Sequence, residues 1–157
     1  IDSSGLAKTM HKRIGIFFIA ILSGLIIFSI VAFGINYTQG KLMDDKEVEN
    51  LVLVIASLMT VACYATAGRL YKRKLQTPLE QTLPVPKKLD YYQNALIIYL
   101  TLCDIAGVLG VIGFMLSGNY LFLAIVVFMI IAIIAKAPSK KRIIHDLRLD
   151  WREQREL

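Results

Sequence analysis

Four stretches of the chain, residues 14–35, 51–70, 95–116 and 120–135, are almost unbroken apolar sequence. Each approaches the 20 or so residues that a helix needs to cross about 30 Å of hydrocarbon. No water reaches the bilayer core, so a spanning segment has to satisfy its own backbone, which restricts it to a helix or a closed barrel. The fourth stretch, with its aliphatic ladder over residues 121–128, would also suit a buried strand. A lone strand in lipid leaves its N–H and C=O groups unpaired, so a helix is expected there too. The composition agrees: 56% of the 157 residues are hydrophobic and 19% charged, and the mean hydropathy is +0.59, too apolar for a soluble domain. The expected fold class is all-α, a polytopic membrane protein built as a four-transmembrane-helix bundle of two helical hairpins with a C-terminal amphipathic helix.

The net charge of +6 is carried beside the apolar segments and not in a basic domain, which points to anionic lipid headgroups and away from nucleic acid. Basic residues are retained on the cytoplasmic side of a membrane. Lys8, Lys12 and Arg13 precede the first apolar segment; Arg69, Lys72, Arg73, Lys74, Lys87 and Lys88 lie between the second and third; Lys136, Lys140, Lys141, Arg142, Arg148, Arg152 and Arg155 follow the fourth. The loop between the first two segments has Lys41 and Lys46 against Asp44, Asp45, Glu47 and Glu49, and the turn Ser117, Gly118, Asn119 has no basic residue. This pattern places both ends of the chain in the cytoplasm of an inner (plasma) membrane. The chain opens at Ile1, so a start residue or an upstream segment is expected before it. The apolar run 14–35 is about twice the length of a signal core and is read as a span.

Pro78, Pro84 and Pro86 disfavour helix in the polar stretch 71–94, which reads as an extended linker between hairpins 14–70 and 95–135. Offsets of 81 and 70 align parts of the two halves, such as Phe33 with Phe114 and Met59 with Met129. A duplicated hairpin and the ordinary similarity of apolar helices both account for that. Residues 1–137 form the expected transmembrane domain and 138–157 a cytoplasmic tail. In the tail, Ser139 is a candidate N-cap for a helix through Glu156. Ile143, Leu147 and Trp151 recur every four residues opposite a charged face, so this helix is expected on the membrane surface, with Trp151, Lys140, Lys141 and Arg142 at headgroup level. Docking of the same face on a protein partner is the competing expectation.

Asp104 is the one ionisable residue well inside an apolar segment, roughly 13 Å along helix three and near the bilayer midplane. A carboxylate there costs on the order of 3 kcal/mol on insertion scales, so it is expected to face the protein and to be protonated or partnered. Ser23, Thr60, Cys63 and Tyr64 match it in depth, and Ser23, Thr60 and Tyr64 with Asp104 form the candidate proton or cation site. Interhelical hydrogen bonding without transport is the alternative role. Ala106, Gly107, Gly110, Gly113 and Ser117 put small residues along helix three, where helices can pack closely. Cys63 and Cys103 have no metal-ligand spacing and His11 and His145 are isolated, so no metal and no cofactor is expected. The acidic cluster 44–49 reads as a helix cap, with a divalent cation outside the membrane as the alternative.

The segment holding Leu102, Cys103, Asp104, Ile105, Ala106, Gly107 and onward to Ile112 resembles the ion-carrying helix of rotary ATPase subunit c, in which a membrane carboxylate is followed six residues later by glycine, here Gly110. That resemblance implies Asp104 as an ion carrier. It covers about a dozen residues, and Asp104 lies on the first helix of its hairpin where that family uses the second. More loosely, with an acidic residue in the third helix, a Gly-Asn turn after it and a basic tail, the whole chain resembles small uncharacterised four-helix bacterial integral membrane proteins. No Walker loop or nucleophile elbow is present, and no paired carboxylates lie in a span or at its mouth. The expected function is therefore non-catalytic: a subunit or small scaffold that forms homo-oligomers or joins other membrane subunits. Proton or cation transport through Asp104 is the alternative.

Overall fold

A long apolar segment satisfies its backbone hydrogen bonds within itself as a helix, and the apolar segments of this chain are helical. A computed structural model describes residues 3–43, 45–81 and 83–155; the expectations for Ile1, Asp44 and Glu156 fall outside them. The elements are α1 (Ser3–Gln39), α2 (Lys46–Glu80), α3 (Val85–Ser117), α4 (Tyr120–Ala135), α5 (Lys140–Leu147) and α6 (Trp151–Gln154). Among the described residues every regular element is helical. Three helices, over Lys8–Gln39, Lys46–Glu80 and Val85–Ser117, are long and apolar enough to cross a membrane. The fourth, α4, has 16 residues, about 24 Å, and the chain bends by 76° between it and α5.

The organising element is α3. It packs along α1, α2 and α4, whereas α1 and α2 scarcely touch each other. The first two helices are consecutive in the chain but pack on α3 and not on each other. Half of the apolar stretch of α3 is buried inside the protein, against 17% for α1 and for α2. Glycines decide which faces meet. A Cβ on Gly107 would lie 2.8 Å from Leu25 of α1, and one on Gly113 would lie 2.3 Å from the ring of Phe122 of α4. Ala106 and Ser117 are buried on the same helix, and the Ser117 hydroxyl donates to the Gly113 carbonyl.

Polar clasps tie the ends of these helices where the α1–α2 and α3–α4 connections lie together. Asn36 Nδ2 donates to the carbonyls of Phe114 (3.2 Å) and Met115 (3.4 Å), and the Leu42 and Met43 N–H groups both donate to Leu116. Gly118 ends α3 at φ 67°, a left-handed cap that glycine adopts at least cost. Asn119 caps α4 through Leu121 N–H, and its amide donates to Glu49 at 2.6 Å. In the acidic loop, Asp45 is the N-cap of α2, accepting from Glu47 N–H.

The segment 71–94 is not an extended linker. The helix α2 runs on to Glu80, with Pro78 inside its last turn, and α3 begins at Val85, so the connection is only residues 81–84. The prolines mark helix ends: Pro84 is the N-cap of α3 and Pro86 lies in its first turn, where a missing N–H costs nothing. With 35 and 33 residues, α2 and α3 are each about 50 Å long, well beyond a 30 Å core. Their overhang forms a two-helix stalk.

The tail docks on that stalk. Ser139 caps α5 by accepting from Arg142 N–H at 3.3 Å. The expected single helix breaks after two turns, because Arg148 adopts a left-handed conformation (φ 47°) that turns Leu149 back into the core. Asp150 and Glu153 then form a capping box for α6. Ile143 (0% exposed) and Leu147 (2%) are buried against the protein, not presented to a membrane surface. The amphipathic face finds the stalk, whose apolar surface the reading of 71–94 as a linker had removed. Trp151 is 78% exposed, and Lys140 and Lys141 are exposed as well.

A salt bridge of 2.6 Å from Lys88 Nζ on α3 to Glu153 Oε1 fastens α6. Burial works against ionisation of Glu153, but the Lys88 ammonium and the Asp150 N–H outweigh it and hold the carboxyl below its ordinary value of 4.5. A depressed folded-state pKa gives stability that is present above the unfolded value and lost as pH falls through the folded one. Protease resistance of residues 140–155 is therefore expected to fall progressively below about pH 4.5. Glu153→Gln should remove that component of the pH profile while leaving cleavage at neutral pH faster than in the wild type.

Candidate functional site

Asp104 sits on the face of α3 turned to α1, half-buried. It lines a cleft of about 200 Å³ with Ala20, Ile21, Gly24, Leu25, Phe28 and Val108. Every other wall residue is apolar. The cleft owes its room to α1: nothing lies within 4 Å of where a Cβ on Gly24 would be, and Ala20 stands one turn before it. Among the described residues Asp104 has no hydrogen-bond or ion-pair partner.

The depth-matched residues do not gather around it. The Ser23 hydroxyl is exposed and donates to Ala20 O of its own helix at 3.1 Å. Thr60 is buried on α2, where it donates to Ala56 O at 2.7 Å. Tyr64 lies edge-on to Phe128 of α4, with ring centroids 5.5 Å apart. Depth along a helix is set by residue number, but azimuth is set by packing, and only Asp104 of the four faces the α1–α3 cleft. Cys63 is half-buried, Cys103 is buried, and both are free thiols.

A second group of polar residues assembles where the stalk leaves the apolar part of the protein, and sequence reasoning missed it as a unit. Lys136, just past α4, places its ammonium 4.2 Å from the ring centroid of Tyr71 on α2 and 5.7 Å from that of Tyr99 on α3. Such cation–π seating fixes the amine and is worth about 0.5–2 kcal/mol. Tyr71 also packs edge-on to Tyr92 and Tyr99 and donates its hydroxyl to Asp146 Oδ2 of α5 at 2.6 Å. The Tyr99 hydroxyl reaches the Ala132 carbonyl of α4 at 3.4 Å, and Arg142 donates to the Ala135 carbonyl. One side of this knot opens as a cleft of about 370 Å³ holding Tyr64, Gly68, Arg69, Lys72, Tyr99 and Lys136. The only sequence signal was the count of basic residues beside the spans.

No protein-family model, curated protein or solved structure matches this chain.

Proposed function

We propose that the chain is a non-catalytic membrane protein that crosses the inner membrane four times, with α4 as its short span and both termini in the cytoplasm, and that it acts as a subunit or scaffold by pairing with a second copy of itself. The observation that carries this reading is Asp104 in its open apolar cleft. A carboxyl near the bilayer centre has to find a hydrogen-bond partner, and the described residues of its own chain supply none. A second copy supplies the same group from the opposite direction, as an isologous contact does. Ala20 and Gly24, four residues apart on the cleft wall, form the small-xxx-small pattern along which membrane helices approach closely. Trp151, Lys140 and Lys141 complete the picture as the tail's contacts with anionic headgroups.

Proton or cation transport is the second reading, favoured by the space beside Asp104 and by the resemblance of its helix to rotary ATPase subunit c. Ser23, Thr60 and Tyr64 stand apart from Asp104, so a path of this kind would run between copies.

One set of variants separates the readings. An interhelical hydrogen bond in lipid is worth about 0.6–2 kcal/mol, so Asp104→Leu should weaken self-association in nanodiscs or mild detergent by about three- to thirty-fold, as should Gly24→Leu by filling the cleft. Asp104→Asn, which retains hydrogen-bonding capacity, should weaken it less. A wild-type protein that is strictly monomeric in lipid would refute pairing. In liposomes under an imposed pH gradient and membrane potential, ion flux that Asp104→Asn abolishes would establish transport in its place.

A further inference from the structure

The cleft between α2, α3 and the end of α4 brings three cations to one opening. Arg69 and Lys72 come from consecutive turns of α2, and Lys136 comes from the chain just past α4. None of the three has an ion-pair partner among the described residues. Lys136 is nevertheless held in place, seated on Tyr71 and Tyr99. Asp146 attracts Lys136 from beyond salt-bridge distance, but one carboxylate does not balance three cations, and a bound anion relieves the repulsion that remains. The floor of the cleft is Gly68, where a Cβ would meet nothing within 4 Å, and Tyr64 stands at its edge with 42% of its surface exposed. The volume of about 370 Å³ falls within the range of small-molecule sites, about 300–1,000 Å³.

The location identifies the anion's source. The cleft lies where the apolar sequences of α2 and α4 end, and immediately beyond it the same two helices expose Val61 (66%), Leu58 (66%) and Ile131 (59%). A molecule with a phosphate in the cleft and acyl chains along those side chains would satisfy both surfaces at once. We propose that this cleft binds the phosphate headgroup of a single anionic phospholipid, with Arg69, Lys72 and Lys136 as its cationic ligands and Tyr64 as a hydroxyl donor. The inference rests on membrane residence but not on self-association, so a monomeric wild type leaves it standing.

The test uses the full chain in detergent, exposed to phosphatidylglycerol, phosphatidylcholine, glycerol phosphate or inorganic phosphate, with retained lipid read by native mass spectrometry. The wild type should retain one phosphatidylglycerol against excess phosphatidylcholine. Basic groups near an anionic lipid surface contribute enough that Arg69→Gln with Lys136→Gln should weaken retention by about tenfold or more. Gly68→Leu fills the cleft without changing charge, has open space for its side chain, and should weaken retention as well. Lys12→Gln with Arg13→Gln removes the same charge from the exposed start of α1 and should leave it unchanged. Equal loss in that variant, or full retention in Gly68→Leu, would overturn the proposal in favour of diffuse electrostatic attraction. Displacement of the lipid by inorganic phosphate or glycerol phosphate at equal concentration would make the cleft a free-phosphate site and overturn the lipid assignment.

Discussion

Gly113→Ala is expected to destabilise the protein by about 2 kcal/mol or more, even though alanine is the better helix former by about 1 kcal/mol. The added Cβ would sit 2.3 Å from Phe122 Cδ1 and 2.4 Å from Cε1, distances that no van der Waals contact tolerates. The ring has nowhere to go, because Phe122 is 0% exposed and its neighbours hold it along the same ridge. Val126 Cγ2 and the Phe122 carbonyl lie 2.9 and 3.2 Å from a Cβ on Gly110. Overpacking a close-packed interior by one methyl typically costs 1–3 kcal/mol, and here the relief is for α3 and α4 to separate along their length. Gly34→Ala serves as the control, since its Cβ would meet nothing within 4 Å, and it should be neutral or mildly stabilising. Unfolding midpoints in mixed micelles measure both. If Gly113→Ala unfolds with Gly34→Ala, α3 and α4 are not in this close contact.

The apolar pattern of the sequence carried the helical class and the long apolar helices, because hydropathy is a property of segments. It did not carry the centrality of α3. Helices that are apolar on every side have no polar face to say which side turns inward, and that information lies in glycines: Gly107 admits α1, and Gly110 and Gly113 admit α4. Residue type misled at the prolines. By type Pro84 and Pro86 suggest a loop, yet a proline at the start of a helix loses no hydrogen bond, and two helices run through the polar segment 71–94. Ser23, Thr60 and Tyr64 show the limit of matching residues by depth, which fixes height in the bilayer and not direction. Arg69, Lys72 and Lys136 were visible as charges, but their convergence depends on where α4 ends relative to α2, a tertiary fact. At the tail, the four-residue period was legible and its target was not, since an apolar face fits lipid and protein equally well. Only the overhang of α2 and α3 decides between them.

That choice of target makes the second large prediction. Ile143 and Leu147 are 0% and 2% exposed, and truncating a buried aliphatic side chain to alanine costs about 2–5 kcal/mol. Beyond these two side chains the tail is held by Leu149, the Tyr71–Asp146 and Arg142–Ala135 hydrogen bonds and the Lys88–Glu153 bridge, and Leu147 closes the turn that leads into Leu149. Leu147→Ala is therefore expected to release α5 and α6 from the stalk, seen as fast amide exchange over residues 140–149 and cleavage after Arg142 or Arg148 in detergent, with the helices of the apolar part unaffected. Tyr71→Phe removes one hydrogen bond to a carboxylate and should loosen the tail less, by about 1.5–3 kcal/mol. Trp151→Ala should change nothing in this assay, because that side chain is 78% exposed. The pattern inverts if the tail instead lies on lipid: Trp151→Ala and Leu147→Ala would then weaken it alike, and protection would depend on lipid being present. Docking on the stalk requires protection in detergent alone, since α2 and α3 carry its binding surface with them out of the bilayer.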